Sequence, residues 1–319
     1  MKAAVYDRCG APEVLDYRDV PDPDLGVSDV LIDVEAISIE GGDLINRRVV
    51  PPPRSDFIVG YASAGTVIAV GNGVTGRKVG DRVTGFAGDG SHAALRAVPQ
   101  NQTWRVPDDV GSAEAAALPI SFGTAHHCLF ARGALQAGET VLVQAAAGGV
   151  GLAAIQLAKQ AGGRVIAVSS GSDRLPKLRS AGADHVIDHR SDDVAEAVLE
   201  LTDGLGVNLV VDPVGTTLPV SLKALAREGR LVFVGNSGGG DLALDLWPAL
   251  QANQSLFGVF MGTQFVDPQV RATVDDLLSQ VAASKLTVFL DRRFSLASAA
   301  RAHDHAERGR PFGRVILQP

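Results

Sequence analysis

Between residues 141 and 159 the chain reads VLVQAAAGGVGLAAIQLAK. The apolar, β-branched start predicts a strand, the alanine and glycine residues predict a tight turn, and the remainder predicts an amphipathic helix. A strand that runs through a glycine-rich turn into a helix can place a pyrophosphate on the helix N-terminus, where backbone N–H groups point outward. The stretch therefore predicts a dinucleotide site.

Three positions of this turn correspond to the glycines of the G-x-G-x-x-G pattern, and they are Ala146, Gly148 and Gly151. Alanine replaces the first glycine and is still small enough for a tight turn. Gly148 lets the backbone approach the phosphates, and Gly151 lets the helix lie close to the sheet. We expect the cofactor to contact Ala146, Gly148, Gly149 and Val150.

The composition is that of a globular chain of 319 residues, long enough for two domains. A net charge of −7, with basic residues scattered along the chain, argues against a nucleic-acid surface. We expect no signal peptide, because residues 1–7 read as a short strand followed by polar residues, and no apolar run approaches the length needed to span a bilayer. Cys9 and Cys128 lack C-x-x-C spacing, which predicts a reduced, cytoplasmic protein without a disulfide framework or a thiolate metal site.

Strands and helices alternate after the glycine turn. The predicted strands cover residues 164–168, 185–188, 209–212, 230–235 and 255–260, and the predicted helices cover 173–181, 192–201 and 218–227. Near-continuous apolar strands separated by amphipathic helices indicate a parallel sheet that is covered on both faces. Gly162, Gly182 and Gly229 are predicted to end helices in the left-handed conformation.

The first ~115 residues follow a different pattern. Strand-like runs at 30–36 and 64–70 are separated by glycine and proline clusters, which is typical of a partly open β-barrel. The run 313–317 has the same character and is expected to return to this barrel. The predicted fold class is therefore α/β, with a doubly wound domain (118–261) inserted into a discontinuous barrel domain (1–117 and 262–319).

Over its full length the chain resembles the zinc-independent quinone oxidoreductase (ζ-crystallin-like) branch of the medium-chain dehydrogenase/reductase superfamily. The resemblance rests on an ordered set of motifs, which includes VGDRV (79–83), AAALP (115–119), GADHVID (182–188), DPVG (212–215), GNSG (235–238) and GRVIL (313–317). It implies a GroES-like barrel with an inserted Rossmann domain, a homodimer, and hydride transfer from a nicotinamide to a quinone or an α,β-unsaturated carbonyl.

No catalytic zinc is expected. Zinc-dependent relatives carry a Gly-His-Glu motif and often a lobe of four cysteines, whereas this chain has Gly60-Tyr61-Ala62 at the motif and lacks the lobe. His126 and His127 are adjacent, so we expect one at the surface and one in the core rather than a pair of ligands.

The residues after the second strand of the inserted domain favour NADPH over NADH. No carboxylate stands at the end of that strand to bind a ribose 2′-hydroxyl; instead Ser169 and Ser170 are followed by Arg174 and Lys177. Hydroxyl groups and cations suit a 2′-phosphate, and the alternative is that the two cations lie on a solvated helix face. Asp173 is predicted to cap that helix.

The resemblance implies further residues at the cofactor. They are Thr124, His189, Val214, Asn236, Ser237, Val259, Met261 and Arg314. His189 stands where relatives often have a tyrosine near the 2′-phosphate, and its alternative is a solvated loop residue. For Val214 and Val259 the alternative is ordinary packing in the core.

Two departures from the family pattern concern the acceptor. Glu40 stands where relatives commonly have asparagine, and the acidic residue of a Gly-x-Glu/Asp motif is lost at Ala62. A buried Glu40 would have a raised pKa and would suit a proton donor. The alternative is a glutamate that faces solvent or pairs with Arg47 or Arg48, because burying an unpaired charge is costly.

The catalytic candidates are therefore Glu40, Tyr61 and Thr124. Tyr61 is a second proton donor or a substrate contact, with core packing as its alternative, and Asp43 is expected to organise its loop. The leading interpretation is an NADPH-dependent reductase of quinones or enones. The proline-rich, aromatic-poor loop 46–54 shifts the balance toward an enone.

Two other functions stay open from the sequence. The first is an enoyl or alkene reductase that tailors a specialised metabolite or a thioester. The second is a structural or sensor protein that binds NADPH without turnover, because a fold alone does not fix function.

Overall fold

The computed structural model describes residues 1–319. Its strands are β1 (Lys2–Tyr6), β2 (Asp16–Asp19), β3 (Asp29–Ser38), β4 (Phe57–Ile58), β5 (Ala62–Val70), β6 (Arg82–Phe86), β7 (Leu95–Pro99), β8 (Thr103–Arg105), β9 (Thr140–Val143), β10 (Arg164–Ser169), β11 (His185–Asp188), β12 (Val207–Asp212), β13 (Leu225–Phe233), β14 (Ser255–Gly258), β15 (Leu290–Ser295) and β16 (Arg314–Gln318). Its helices are α1 (Gly41–Val49), α2 (Ser112–His126), α3 (Gly149–Gln160), α4 (Leu175–Ser180), α5 (Val194–Leu201), α6 (Leu218–Ala224), α7 (Trp247–Gln251), α8 (Pro268–Ala282) and α9 (Ala299–Arg308). No helix combines the length and the apolar composition that crossing a bilayer requires.

The chain divides into two compact units. The barrel unit contains Met1–Gly123 and Met261–Pro319, and the dinucleotide unit contains Thr124–Phe260. The predicted boundary after residue 117 and the division after residue 123 both lie within α2.

The dinucleotide unit is built on a six-stranded sheet of order β11-β10-β9-β12-β13-β14. Every neighbouring pair is parallel, which confirms the predicted parallel sheet and its sixth strand. After β9 the chain adds β10 and β11 on one side of it, and it then adds β12, β13 and β14 on the other side. The carboxyl ends of β9 and β12 therefore flank the point where the strand order reverses, which is where such sheets bind ligands.

Two predicted helix limits in this unit are wrong. Helix α6 ends at Ala224 instead of Arg227, because Leu225 already has extended backbone and pairs with Val207 of β12. The left-handed conformation falls on Glu228 (φ 61°) and not on Gly229, whereas Gly162 (φ 79°) and Gly182 (φ 114°) have it as predicted. Pairing between strands has overridden the helical pattern here.

The start of α4 also differs from the prediction. Arg174, not Asp173, occupies the cap position, and its side chain makes no capping hydrogen bond. Pro176 lies in the first turn, where its missing N–H costs nothing and its fixed φ favours a helix. The proline therefore accounts for the start of this helix better than the predicted carboxylate cap.

The barrel unit combines a seven-stranded sheet, in which β15-β16-β3-β5-β6-β8 are neighbours and β7 pairs with β3, and a three-stranded sheet of order β2-β1-β4. Strand β16 pairs antiparallel with β3, with Leu317 opposite Ile37. The predicted return of the C-terminal strand to this domain is thus confirmed. Val30, Ile32 and Val67 lie in its core with no exposed surface.

Candidate functional site

The glycine turn lies between β9 and α3, at the carboxyl end of a central strand. Ala145 adopts a left-handed conformation (φ 47°), which is unusual for alanine and turns the chain sharply after β9. Helix α3 begins after Gly148, which has no side chain to cap the first N–H groups of the helix. An uncapped helix N-terminus at this place suits a diphosphate group.

The two glycines of the turn face different surroundings. A Cβ on Gly151 would lie 2.6 Å from Ala146 Cα and 2.7 Å from Ala145 O, both backbone atoms. A Cβ on Gly148 would meet only Ala145 O, at 3.4 Å. Gly151 is therefore needed for the turn to pack against α3, whereas Gly148 leaves space at the helix N-terminus.

Asp212, at the carboxyl end of β12, organises the loop that follows it. Its buried carboxylate accepts hydrogen bonds from the N–H groups of Val214 (2.9 Å) and Gly215 (3.1 Å) and from the hydroxyl groups of Thr217 and Ser221. Ser221 also accepts a bond from Gln144, the first residue of the glycine turn. Sequence reasoning missed this network, although an aspartate at a strand end followed by DPVG and a threonine was its signal.

The carboxyl ends of β10 and β11 lie side by side, with Ser169 opposite Asp188. The His189 N–H donates to Ser169 O at 3.1 Å, so these two residues are neighbours at this edge of the sheet. A role for Ser169, Ser170 and His189 at a 2′-phosphate stays a prediction. Asp188, which sequence reasoning missed, accepts bonds from the N–H groups of Gly171 and Arg190. These bonds lower the pKa of the Asp188 carboxyl group.

The other predicted cofactor residues of this unit lie on the same edge of the sheet or near it. Arg174 is buried and Lys177 is exposed on α4. Asn236 follows β13, donates to Gly240 O and keeps a buried Oδ1 without a hydrogen-bond donor. Ser237 donates to Pro213 O at 3.0 Å, which ties the segment after β13 to the segment after β12.

Three further cofactor candidates are buried side chains. Thr124 in α2 is 4% exposed, Val259 after β14 is 9% exposed and Met261 is 6% exposed. Core packing, the alternative stated for Val259, agrees with its burial. A contact between any of the three and the cofactor stays a prediction.

In the barrel unit, Glu40 precedes the first turn of α1 and is 1% exposed. Its Oε1 accepts a bond from the Ser38 hydroxyl group at 2.6 Å, and its Oε2 lies 2.5 Å from Arg314 Nη2. The alternatives of a solvent-facing side chain and of pairing with Arg47 or Arg48 are therefore wrong. Burial raises the pKa of Glu40, and Arg314 and Ser38 oppose that rise.

Arg314 was expected at the cofactor, and the structure shows its guanidinium in contact with Glu40 and Ser121. Its Nε donates to Ser121 Oγ at 2.8 Å in addition to the ion pair. Two sites on the guanidinium are thus used within the barrel unit. The contact with the cofactor stays a prediction.

Asp43 lies one turn into α1 and has no exposed surface. Its Oδ2 accepts a bond from the Glu40 N–H at 2.8 Å, which agrees with the expected role in organising the loop. Burial raises the pKa of Asp43 to about 8. This shift in pKa could not be predicted from the sequence, because it depends on how completely the folded chain encloses Asp43.

Tyr61 packs its ring on the start of α1, since a Cβ on Gly42 would lie 2.2 Å from Tyr61 Cε2. Its hydroxyl oxygen accepts a bond from Asn46 Nδ2 at 2.8 Å. Burial raises the pKa of Tyr61 to about 12, so the phenol keeps its proton. The predicted donor and the predicted packing role are both compatible with this position.

A second buried polar cluster in the barrel unit was not predicted. His92 and His303 have no exposed surface and their Nε2 atoms are 2.9 Å apart. One helical turn after His303, Glu307 forms an ion pair with the buried Arg47. Burial lowers the pKa of His92 to about 3 and that of His303 well below its usual range.

The residues of this chain do not fit a catalytic zinc. No three histidine, cysteine, aspartate or glutamate side chains are grouped so that they could hold a metal ion. His126 and His127 are both half-buried, so the expected split into one surface and one core residue is wrong.

Two family models match the chain. The alcohol dehydrogenase GroES-like domain matches residues 26–108, and the zinc-binding dehydrogenase model matches residues 149–280. The chain is 35% identical to a quinone oxidoreductase of Pseudomonas aeruginosa, over 97% of both proteins. The structure of an Escherichia coli quinone oxidoreductase complexed with NADPH superposes with a TM-score of 0.95, at 28% identity over all of both chains.

A third similar protein is much larger than this chain. The chain is 32% identical to a segment of an erythronolide synthase of Saccharopolyspora erythraea. The match covers 97% of this chain but only 8% of that synthase.

Proposed function

This chain belongs to the quinone oxidoreductase branch of the medium-chain dehydrogenase/reductase superfamily, and from that membership we propose that it transfers hydride from NADPH to a quinone or an α,β-unsaturated carbonyl. It is an NADPH-dependent oxidoreductase of the quinone oxidoreductase type. One structural observation carries the proposal: the uncapped N-terminus of α3 stands where the strand order of a parallel sheet reverses.

The residues of the dinucleotide unit fit this cofactor. The N–H groups that follow Gly148 would bind the diphosphate, and the carboxyl ends of β10 and β11 would bind the 2′-phosphate through Ser169, Ser170 and His189. Arg174 and Lys177 would add positive charge there. The Oδ1 atom of Asn236 is a buried acceptor that has no hydrogen-bond donor within the protein. A bound ligand with a hydrogen-bond donor would satisfy this atom.

The remaining contacts are proposed from the family pattern. Thr124, Val214, Ser237, Val259, Met261 and Arg314 are the proposed further contacts. Their backbone and side chains would orient the nicotinamide ring and hold the reacting groups at a short distance.

Bound NADPH supplies a hydride, and a reduced acceptor then needs a proton on its oxygen. We propose that Glu40 gives this proton. Its carboxyl group is buried, and burial raises its pKa from the ordinary value against the opposing effects of Arg314 and Ser38, which favours transfer of a proton through it. Tyr61, whose hydroxyl oxygen accepts from Asn46 and so keeps its own proton for another acceptor, is the proposed group that orients the substrate.

Oxidation of NADPH by a panel of quinones and enones tests the activity. We expect saturable oxidation by at least one acceptor. Glu40→Gln should lower kcat by about 100-fold with little change in the KM for NADPH, because proton donation contributes about this factor or more. Glu35→Gln, at an exposed glutamate of β3, is the matched control and should leave kcat unchanged. Binding of NADPH without turnover by any acceptor would contradict the proposal.

The second candidate function, an enoyl reductase that acts on a thioester or a specialised metabolite, is favoured by one observation. Nearly the whole chain matches a segment of the erythronolide synthase. The segment 46–54 agrees with it, since it has no aromatic side chain; residues 46–49 of the predicted loop are the end of α1, and the proline-containing loop begins only after Val49. A higher kcat/KM for enoyl thioesters than for quinones would select this function.

We propose that the protein is a homodimer through the β14 edge of the dinucleotide unit. Strand β14 ends the sheet, and exposed apolar side chains lie in the segment before it, at Leu242, Leu246, Trp247 and Leu250. Such a patch beside an open strand edge is typical of a protein interface. Trp247→Asp should give a monomer in sedimentation experiments, whereas Leu205→Asp, at another exposed leucine, should not.

The cytoplasm is the proposed location. Cys9 is exposed and Cys128 is buried, and neither forms a disulfide. Free thiols are typical of reducing compartments. Detection of the protein only in an oxidising compartment would contradict this proposal.

A further inference from the structure

Two buried carboxyl groups share the first turn of α1. Glu40 stands at its cap position and Asp43 three residues later, and they are 1% and 0% exposed. Like charges that are this close and this enclosed repel each other strongly, so both do not ionise together. The question is therefore which of the two keeps a proton.

The surroundings of Glu40 favour its ionised form. Its Oε1 accepts the Ser38 hydroxyl proton, and its Oε2 faces Arg314 Nη2 at 2.5 Å. One oxygen thus accepts a hydrogen bond, and the other is held in an ion pair by a cation whose other contact, Ser121, is neutral. A buried carboxylate with this set of partners is compensated for the loss of water.

The surroundings of Asp43 favour its neutral form. Its Oδ2 accepts the Glu40 N–H at 2.8 Å, and its Oδ1 is buried without any donor. A charged carboxylate with one oxygen empty loses the full solvation of that oxygen, whereas a neutral acid carries its own proton there. The hydrogen-bond pattern is therefore that of a carboxylic acid.

The charged groups around Asp43 come from three other elements. Arg96 of β7 and Arg314 of β16 favour ionisation, Glu40 opposes it, and the phenol of Tyr61, next to β5, stays neutral. Arg96 donates from Nη1 to Ser63 and from Nη2 to the carbonyl oxygens of Gly60, Tyr61 and Asp89, so these two nitrogens bond to groups other than Asp43. Burial outweighs both cations and leaves the pKa of Asp43 at about 8.

We propose that the Glu40–Asp43 pair holds one proton in the resting protein and that this proton lies on Asp43. During turnover, Asp43 passes the proton to Glu40. This inference rests on the proposed function for the turnover step only. In that step the acceptor gains a hydride and its electron pair moves to oxygen. The Asp43 O–H bond breaks and its proton passes to the Glu40 carboxylate, the Glu40 O–H bond formed in this way breaks to protonate the acceptor oxygen, and Asp43 then takes a proton from solvent.

Asp43 is thus a positioning residue, because it acts through Glu40. Infrared difference spectra of the full chain between pH 7 and pH 10 report the neutral carboxyl group directly. We expect the C=O band of a protonated carboxylic acid at pH 7, its loss with a midpoint near pH 8, and its absence in Asp43→Asn. Persistence of the band in Asp43→Asn, or no such band in the wild type, would overturn the inference.

A second variant keeps the test valid where Asp43→Asn is unstable. Glu40→Gln removes the like charge and leaves Arg314 without its carboxylate, so the Asp43 band should disappear at a lower pH than in the wild type. An unchanged midpoint would contradict the coupling. Asp267→Asn, at the exposed aspartate that caps α8, is the matched control and should leave the band unchanged.

Kinetics supply the functional readout. In the wild type, kcat should fall as the pH rises through about 8, because the pair loses its proton. Asp43→Asn should lower kcat about 100-fold and remove this fall, with the KM for NADPH nearly unchanged. A fall that persists in the variant would overturn the role in turnover. If no acceptor oxidises NADPH, the proposed function fails while the infrared result still decides where the proton lies.

Discussion

The two units build their polar sites in opposite ways. The dinucleotide unit uses backbone groups within a few residues of each other, as in the turn from Gln144 to Gly148, which an uncapped helix follows. The barrel unit uses buried charged side chains from distant parts of the chain, such as Glu40 with Arg314 and Arg47 with Glu307. A site made of backbone groups depends little on which side chains surround it, but it has little room for an atom added to the turn itself. A site made of buried charged side chains depends on each charge keeping its partner.

Arg314→Met should have the largest effect, because it leaves Glu40 as a buried carboxylate without its cation. Removing one partner of a buried ion pair costs about 3–5 kcal/mol. Glu40 would respond by taking up a proton, so the loss in the free energy of unfolding should be smaller at pH 5 than at pH 8. Denaturant unfolding at both pH values checks this, and an equal loss at each would show that Glu40 does not depend on Arg314.

The buried histidine pair predicts a loss of stability in acid. The folded pKa of His92 is about 3, so the unfolded chain binds protons below its pKa of about 6.5 that the folded chain cannot bind. Stability should therefore fall as the pH drops below 6.5, by about 2 kcal/mol at pH 5 for His92, and His303 should act in the same direction. In His92→Asn the fall between pH 7 and pH 5 should shrink by that amount. An unchanged fall would mean that the pair does not carry the effect.

Gly151→Ala tests the backbone site by adding one carbon. The new Cβ would meet backbone atoms at 2.6–2.8 Å, so the helix must shift, at a cost of about 1–3 kcal/mol in stability. Gly148→Ala is the matched variant, because its Cβ meets one atom at 3.4 Å and the fold should keep its melting temperature. In that variant only the affinity for NADPH should fall, since the methyl group occupies the helix N-terminus. Equal melting temperatures for the two variants would contradict this division.

The smallest effect is expected at Lys177, an exposed cation on α4. Lys177→Ala should weaken NADPH about tenfold and leave NADH nearly unchanged, because a single surface charge acts on the 2′-phosphate over a screened distance. The ratio of the two dissociation constants measures this directly. No change in the ratio would assign Lys177 to the solvated helix face instead.

These differences explain what could be predicted from the sequence. The turn at Ala146–Gly151 and the pairing of Ser169 with the segment around His189 follow from local patterns, because consecutive parallel strands end at one edge of a sheet. The partner of Glu40 could not be predicted, since Arg314 reaches it only because β16 pairs with β3. The partners expected under the alternative interpretation, Arg47 and Arg48, are close to Glu40 in the sequence but do not pair with it in the structure.

The same reason accounts for the other misses. His92 and His303 are far apart in sequence, and neither neighbourhood contains a signal for the other. The end of α6 depends on Leu225 pairing with β12, which overrides a helical pattern that continues to Arg227. Within the dinucleotide unit, the Asp212 network was predictable in principle, because all of its donors but Gln144 lie within nine residues of it.

The central claim is that backbone N–H groups at the start of α3 hold the diphosphate of NADPH while the ends of β10 and β11 select its 2′-phosphate. Calorimetric titration of the purified protein with NADPH and with NADH measures this most directly. We predict saturable binding of both, with NADPH the tighter ligand. Tighter binding of NADH, or no binding of either dinucleotide, would contradict the account.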